Sequence, residues 1–255
     1  MKIVRPAFAS ILALGAAIIL SACQTTTPES VKPHISIIEP SAGVGSKPYP
    51  VVFFVQGTGG GNHRANLWGQ RFAQEGIASV AIDNAGLRGR PNLYGIEPWD
   101  MASDYAAALR LLEKDPRFDM KRHALMGFSR GGTAAMLSGT ALAADQPKPR
   151  TVIAFYPGNL GDCSENLPAE TSVHVFYGEL DEWGSHRGTR DACRRMAEGK
   201  PGRTFHLVKN AHHAFDDRFT LTWPSDNRSF RSEPNPEARA EVERTLVQVL
   251  KAALN

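Results

Sequence analysis

Short apolar runs alternate with longer amphipathic stretches along most of this chain. The runs "HISII" (34–38), "YPVVFFV" (49–55), "IASVAI" (77–82), "RHALMGF" (122–128), "RTVIAFY" (150–156), "SVHVFYG" (172–178) and "RTFHLV" (203–208) predict strands. Several are apolar at successive positions, as strands covered on both faces should be. Helical periodicity predicts helices near 63–75, 99–114, 129–143, 186–198 and 236–253. The last is clearly punctuated. Asn235 suits its N-cap, Pro236 its first position, and Val242, Leu246, Val249, Leu250 and Ala253 form one apolar stripe. Alternation of this kind predicts an α/β fold, a mostly parallel central sheet with helices on both faces. The stretches 84–98 and 216–234 are too long to be mere connections, and loops of that length are often functional.

The first stretch, "MKIVRPAFASILALGAAIILSACQ", has another pattern. Lys2 and Arg5 precede an uncharged apolar run that ends in small residues, which predicts a secretory signal over residues 1–22; a membrane-spanning helix is the alternative. "LSAC" resembles a bacterial lipobox. That resemblance implies cleavage before Cys23 and a diacylglyceryl group on it, with the acyl chains holding the protein at a membrane. Gln24 follows where Asp would suggest inner-membrane retention, so the expected location is the bacterial cell envelope, on the outer membrane facing the periplasm. "TTTPESVKPH" is polar and proline-bearing, and residues 23–33 are expected to be a flexible tether before a domain spanning 34–255.

Composition narrows the partners. With 255 residues, 42% hydrophobic and 22% charged, the chain can build one large core. Residues 1–22 carry two basic and no acidic side chains, so the formal charge of +3 becomes +1 without them. A near-neutral domain with no basic stripe is not expected to bind nucleic acid. With Cys23 acylated, Cys163 and Cys193 remain; an exported pair is a plausible disulfide, and two separate buried thiols are the alternative.

The candidate chemistry begins at "LMGFSRGG". Gly127-x-Ser129-x-Gly131 alone is a short pattern, but here it follows a predicted strand and opens a predicted helix, the setting of a nucleophile on a sharp turn. A serine hydroxyl needs a base to take its proton and a third group to orient that base. In an architecture of this kind the order is serine, acid, histidine, each beyond a later strand. After "SVHVFYG" comes "ELDEWG", and after "RTFHLV" comes "KNAHHAFD". Asp181 and His213 are the candidates, 52 and then 32 residues apart from Ser129 onward. Glu179, Glu182 and Asp162 are competing acids, and His212 is a competing base. The adjacent histidines have no third ligand at metal-like spacing, so no metal or other cofactor is expected.

"GFSRGG", "YGELDEW" and "AHHAFD", together with "VVFFVQGTGGG", resemble the dienelactone-hydrolase-like branch of the α/β hydrolases, in matching order over most of residues 49–216. The resemblance implies an α/β-hydrolase fold, Ser129 as nucleophile, Asp181 as acid and His213 as base. It also implies an oxyanion hole from the backbone N–H groups of Thr58 and Arg130. There are two departures. Dienelactone hydrolases proper carry cysteine where this chain has Ser129, which favours a general esterase over a dienelactone specialist. Gln56 replaces the usual histidine of the H-G-x-x-G loop.

The segment 157–171 leaves no room for a large lid domain, so small or accessible esters or lactones are the expected substrates. Arg64, Arg88, Arg90 and Arg130 could meet a substrate carboxylate or be structural. Asp83 is expected to brace its loop. Two rival functions remain at this stage: a peptide or amide hydrolase on the same triad, and a non-catalytic envelope lipoprotein that binds a partner.

Overall fold

The computed structural model describes residues 26–158, 162–225 and 228–255. The predicted signal at 1–22 and Cys23 lie outside the described residues. A seven-stranded sheet has the order β1-β3-β2-β4-β5-β6-β7. Its strands are β1 (Ile35–Ile38), β2 (Tyr49–Val55), β3 (Ala78–Ile82), β4 (Phe118–Phe128), β5 (Thr151–Phe155), β6 (Ser172–Gly178) and β7 (Arg203–Val208). Every neighbouring pair is parallel except β1 with β3.

Burial explains the runs. Every residue of β2, β3 and β5 is buried, so these strands need apolar side chains on both faces. Helix α2 (His63–Ala73) is tied to α7 (Pro236–Leu254) by the Arg71–Glu243 ion pair, and Glu75, just past the end of α2, pairs with Lys251 of α7. Helix α3 (Pro98–Leu112) packs on α4 (Arg130–Met136), which lies against β4 and β5. Asn235 caps α7 by accepting from the Ala238 N–H, and Val242, Leu246 and Leu250 are buried along its stripe.

Several expectations need correction. Residues 26–33 are not a free tether: Pro28–Val31 forms α1, capped reciprocally by Thr27 and Ser30, and Val31 is fully buried. The helix expected at 129–143 is interrupted after Met136, where Ser138 turns its hydroxyl onto the Ala135 carbonyl and a 3-10 turn, Ser138–Thr140, follows. The helix expected at 186–198 is two, α5 (Glu182–His186) and α6 (Thr189–Ala197). They are separated by Gly188 at φ 71°, a conformation glycine adopts without penalty. Within 216–234, read as loop, β8 (Leu221–Ser225) pairs antiparallel with β9 (Arg228–Ser232).

Cys163 and Cys193 form a disulfide that joins the segment before β6 to α6, with their Cα atoms 4.9 Å apart. Among the described residues no large lid domain covers the C-terminal rim of the sheet. Among the described residues no helix is long and apolar enough to cross a membrane.

Candidate active site

Ser129 sits between β4 and α4 with φ 50° and ψ −115°, a backbone conformation that L-residues rarely adopt. The neighbouring glycines make the turn possible. A Cβ on Gly127 would lie 2.0 Å from the Gly131 carbonyl oxygen, and one on Gly131 would lie 2.3 Å from that of Gln56. The Ser129 N–H donates to the Phe155 carbonyl at 2.9 Å, which fixes the turn to the end of β5. Its hydroxyl is thereby held at the C-terminal rim, partly exposed.

Asp181 follows β6 and His213 follows β7, so parallel strands deliver both to the same rim. His213 Nε2 lies 3.2 Å from Ser129 Oγ, and its Nδ1 lies 2.9 Å from Asp181 Oδ2. Asp181 is fully buried, and its other oxygen accepts from the Gly184 N–H at 2.9 Å while capping α5. The carboxylate is thus immobilised by a backbone donor on one oxygen and meets the imidazole with the other. Such an arrangement holds the ring with Nδ1 as donor and Nε2 as acceptor toward the serine.

The competing residues are elsewhere. His212 turns its Nε2 toward Glu233 at 3.8 Å. Glu179 binds Lys209 and the Asn210 N–H, steadying the start of the histidine loop. Asp162 is exposed and accepts from the Ser164 N–H, and Glu182 is an exposed residue of the first turn of α5. Among the described residues no group of three or more His, Cys, Asp or Glu side chains is placed to hold a metal ion.

The loop after β2 passes directly beside the serine: a Cβ on Gly57 would stand 3.8 Å from Ser129 Cβ. The Thr58 carbonyl accepts from Leu93 N–H, and its hydroxyl accepts from Arg130 Nε at 3.3 Å. The backbone N–H groups of Thr58 and Arg130 have no acceptor among the described residues. Gln56 explains how the loop is held without the histidine of H-G-x-x-G. Its buried amide donates to Asn62 (2.9 Å) and Asp83 (3.2 Å), and its carbonyl accepts from the Ala85 N–H. Asp83 also accepts from the Gly86 N–H, so it braces its loop.

Three of the four arginines have structural partners. Arg64 pairs with Asp217, Arg88 with buried Asp104, and Arg130 donates to the Ile96 carbonyl at 2.7 Å; Arg90 is exposed. A cluster missed from the sequence lies beneath the histidine loop. Asp216, fully buried, accepts from the Tyr156 hydroxyl and from Trp68 Nε1 at 3.0 Å. Asp217 accepts from Arg64 and, at 2.7 Å, from His63 Nε2. Burial opposes the Asp217 charge, but the His63 hydrogen bond and the Arg64 charge outweigh it and hold the carboxyl at about 2. Burial pushes the Tyr156 phenol well above its ordinary range, so it remains a donor. The only signal was the pair "DD" directly after "HHAF", whose partners lie 60 residues earlier for Tyr156 and 148 to 154 earlier for Trp68, Arg64 and His63.

A sequence model of the dienelactone hydrolase family matches residues 96–254, more than half of the chain. Solved structures share the fold. A dienelactone hydrolase from Anabaena variabilis ATCC 29413 superposes with a TM-score of 0.61 at 15% identity, covering 87% of this chain and 92% of the other. A dienelactone hydrolase-like promiscuous phosphotriesterase from metagenomic libraries gives 0.59 at 20% identity, covering 87% and 100%. An α/β serine hydrolase without lid from Xanthomonas campestris gives 0.56 at 16% identity, covering 86% of each chain. No curated protein sequence matches the chain.

Proposed function

The chain belongs to the dienelactone hydrolase family, whose fold and hydrolase chemistry it shares, and from that premise we propose that it is a serine-dependent carboxylic ester hydrolase. One observation carries the reading: Ser129, His213 and Asp181 form a continuous chain of hydrogen-bond contacts at 3.2 and 2.9 Å. Ser129 Oγ attacks the ester carbonyl carbon as His213 Nε2 takes its proton. The tetrahedral intermediate collapses, the C–O bond to the alcohol breaks, and His213 returns the proton to the leaving oxygen. Water, deprotonated by His213, then attacks the acyl carbon; the bond to Ser129 Oγ breaks, His213 returns the proton to that oxygen, and the acid leaves. Asp181 steadies the imidazolium that forms in each half.

The developing oxyanion is held by the N–H groups of Thr58 and Arg130. One such donor is worth about 2.7–4 kcal/mol of barrier. The open rim favours small or accessible esters and lactones. The pattern of residues 1–22 and the "LSAC" sequence support export and acylation at Cys23, which would anchor the enzyme in the bacterial envelope.

Turnover of p-nitrophenyl acetate and of a panel of short esters and lactones by the parent, and its loss in Ser129→Ala, tests the reading. Cleavage of an aminoacyl anilide in preference to the esters would replace it with an amidase. Inertness toward both, in folded protein, would favour a binding module.

A further inference from the structure

The chain enters the fold on the same rim that carries Ser129. Because β1 runs antiparallel to its neighbour, Ile35 pairs with Ile82, the last residue of β3. Residues that precede β1 therefore lie beyond the C-terminal ends of the other strands. Thr26 is fixed there. Its hydroxyl donates to Asp104 Oδ1 at 2.6 Å, and Asp104 is held in turn by Asn84 and Arg88 just past β3. With Val31 buried, this entry is a strut. Three residue steps separate Cys23 from Thr26, and an extended chain spans at most about 11 Å over that length. The opposite rim is further away by the height of the sheet, about 20 Å for a strand of this length.

A second observation concerns exposed apolar side chains. Among the described residues the exposed large ones are Tyr94, Trp99, Leu180, Leu207, Phe219 and Leu221. All but Leu207, which is on the edge strand β7, lie beyond the C-terminal ends of the parallel strands. Tyr94 and Trp99 stand where α3 begins; Phe219 and Leu221 follow the histidine loop. The segments adjoin through the oxyanion loop: the ring of Phe219 meets that of His63 edge-on at 6.0 Å, and a Cβ on Gly60 would touch the Pro91 carbonyl. Amphipathic aromatics of this kind favour the headgroup level of a bilayer.

We propose that the catalytic rim rests on the lipid bilayer, with Tyr94, Trp99, Phe219 and Leu221 at headgroup level. Ser129 then opens toward the membrane, and its substrates are amphiphilic esters that present their carbonyl there. The proposal rests on acylation of Cys23, as read above. The test uses the full chain, expressed with its leader and reconstituted in phosphatidylethanolamine–phosphatidylglycerol vesicles doped with a diazirine-bearing phosphatidylcholine. After illumination, peptide mapping locates lipid adducts, and the mass of the N-terminal peptide reports acylation independently. Adducts in 89–99 and 216–222 are expected. Acylated protein with adducts on the opposite rim (39–48, 113–117, 144–150 or 199–202), or with none in the folded domain, overturns the orientation and leaves the anchor standing. An unacylated Cys23 overturns both.

Discussion

The ring of Tyr156 lies 4.5 Å, centroid to centroid, from the imidazole of His213, while its hydroxyl donates to Asp216 three residues further along the histidine loop. One side chain thus packs on the His213 ring and ties down the segment that carries it. Tyr156→Phe keeps the packing and leaves one oxygen of buried Asp216 without that donor. The expected cost is about 1–3 kcal/mol of stability. If the loop shifts the imidazole by about an ångström, kcat falls by up to ~100-fold with KM little changed. Urea unfolding and steady-state kinetics on p-nitrophenyl acetate check both effects.

The Arg64–Asp217 pair is largely shielded from water, with side-chain exposures of 15% and 5%. Removing one partner of such a pair strands the other, so Asp217→Asn is expected to lose about 3–5 kcal/mol at pH 7. The sign of the pH dependence follows from the lowered carboxyl. Its ionised form is favoured by the native state, so the contribution is complete above the ordinary value near 4 and is lost as pH falls through about 2. The pH-dependent part is about 2 kcal/mol. Urea titrations at pH 7 and near pH 2 should show the gap between parent and variant narrowing in acid.

His123 gives a second pH response, at less acidic pH. It is fully buried, accepts from the Tyr105 hydroxyl at 2.6 Å and donates Nδ1–H to the Met120 carbonyl. Burial, helped by the Arg150 charge, pushes it down to about 4. Between its ordinary value near 6.5 and 4 the unfolded chain binds a proton that the native state refuses. Stability is therefore complete above 6.5 and falls by about 3 kcal/mol toward pH 4. In His123→Asn, unfolding free energies measured across that window should vary less with pH than those of the parent.

The disulfide closes a loop with a sequence separation of 30, a constraint worth about 3–4 kcal/mol in the unfolded chain. Reduction, or Cys163→Ala with Cys193→Ala, should lower Tm by about 10 °C in a domain of this size. Scanning calorimetry with and without reductant checks it.

Much of this fold could be read from the residues because long-range burial leaves local marks. The unbroken apolar run Tyr49–Val55 announces a central strand, and Asn235-Pro236 announces the start of α7. That Ser129, Asp181 and His213 each follow a strand was also readable, and parallel strands, which all end at one rim, bring the three side chains together. What stayed hidden depends on partners distant in sequence. Nothing in "HISII" says that β1 runs antiparallel, because edge pairing is set by where the chain enters. The β8–β9 hairpin was obscured by Pro224 and by the lack of a clean alternation. Arg64, Trp68 and Tyr156 converge on Asp216 and Asp217 only after folding. The adjacent histidines separate in the fold: His213 meets Ser129, while His212 Nε2 lies 3.8 Å from Glu233, which follows β9.

The most direct test of the account is covalent labelling of Ser129. Folded protein is treated with a fluorophosphonate, and the modified residue is mapped by peptide mass spectrometry. The account predicts one adduct, on Ser129, absent in Ser129→Ala and formed far more slowly in His213→Ala. A folded parent that remains unlabelled, or one labelled at another serine while Ser129→Ala still hydrolyses esters, would contradict it.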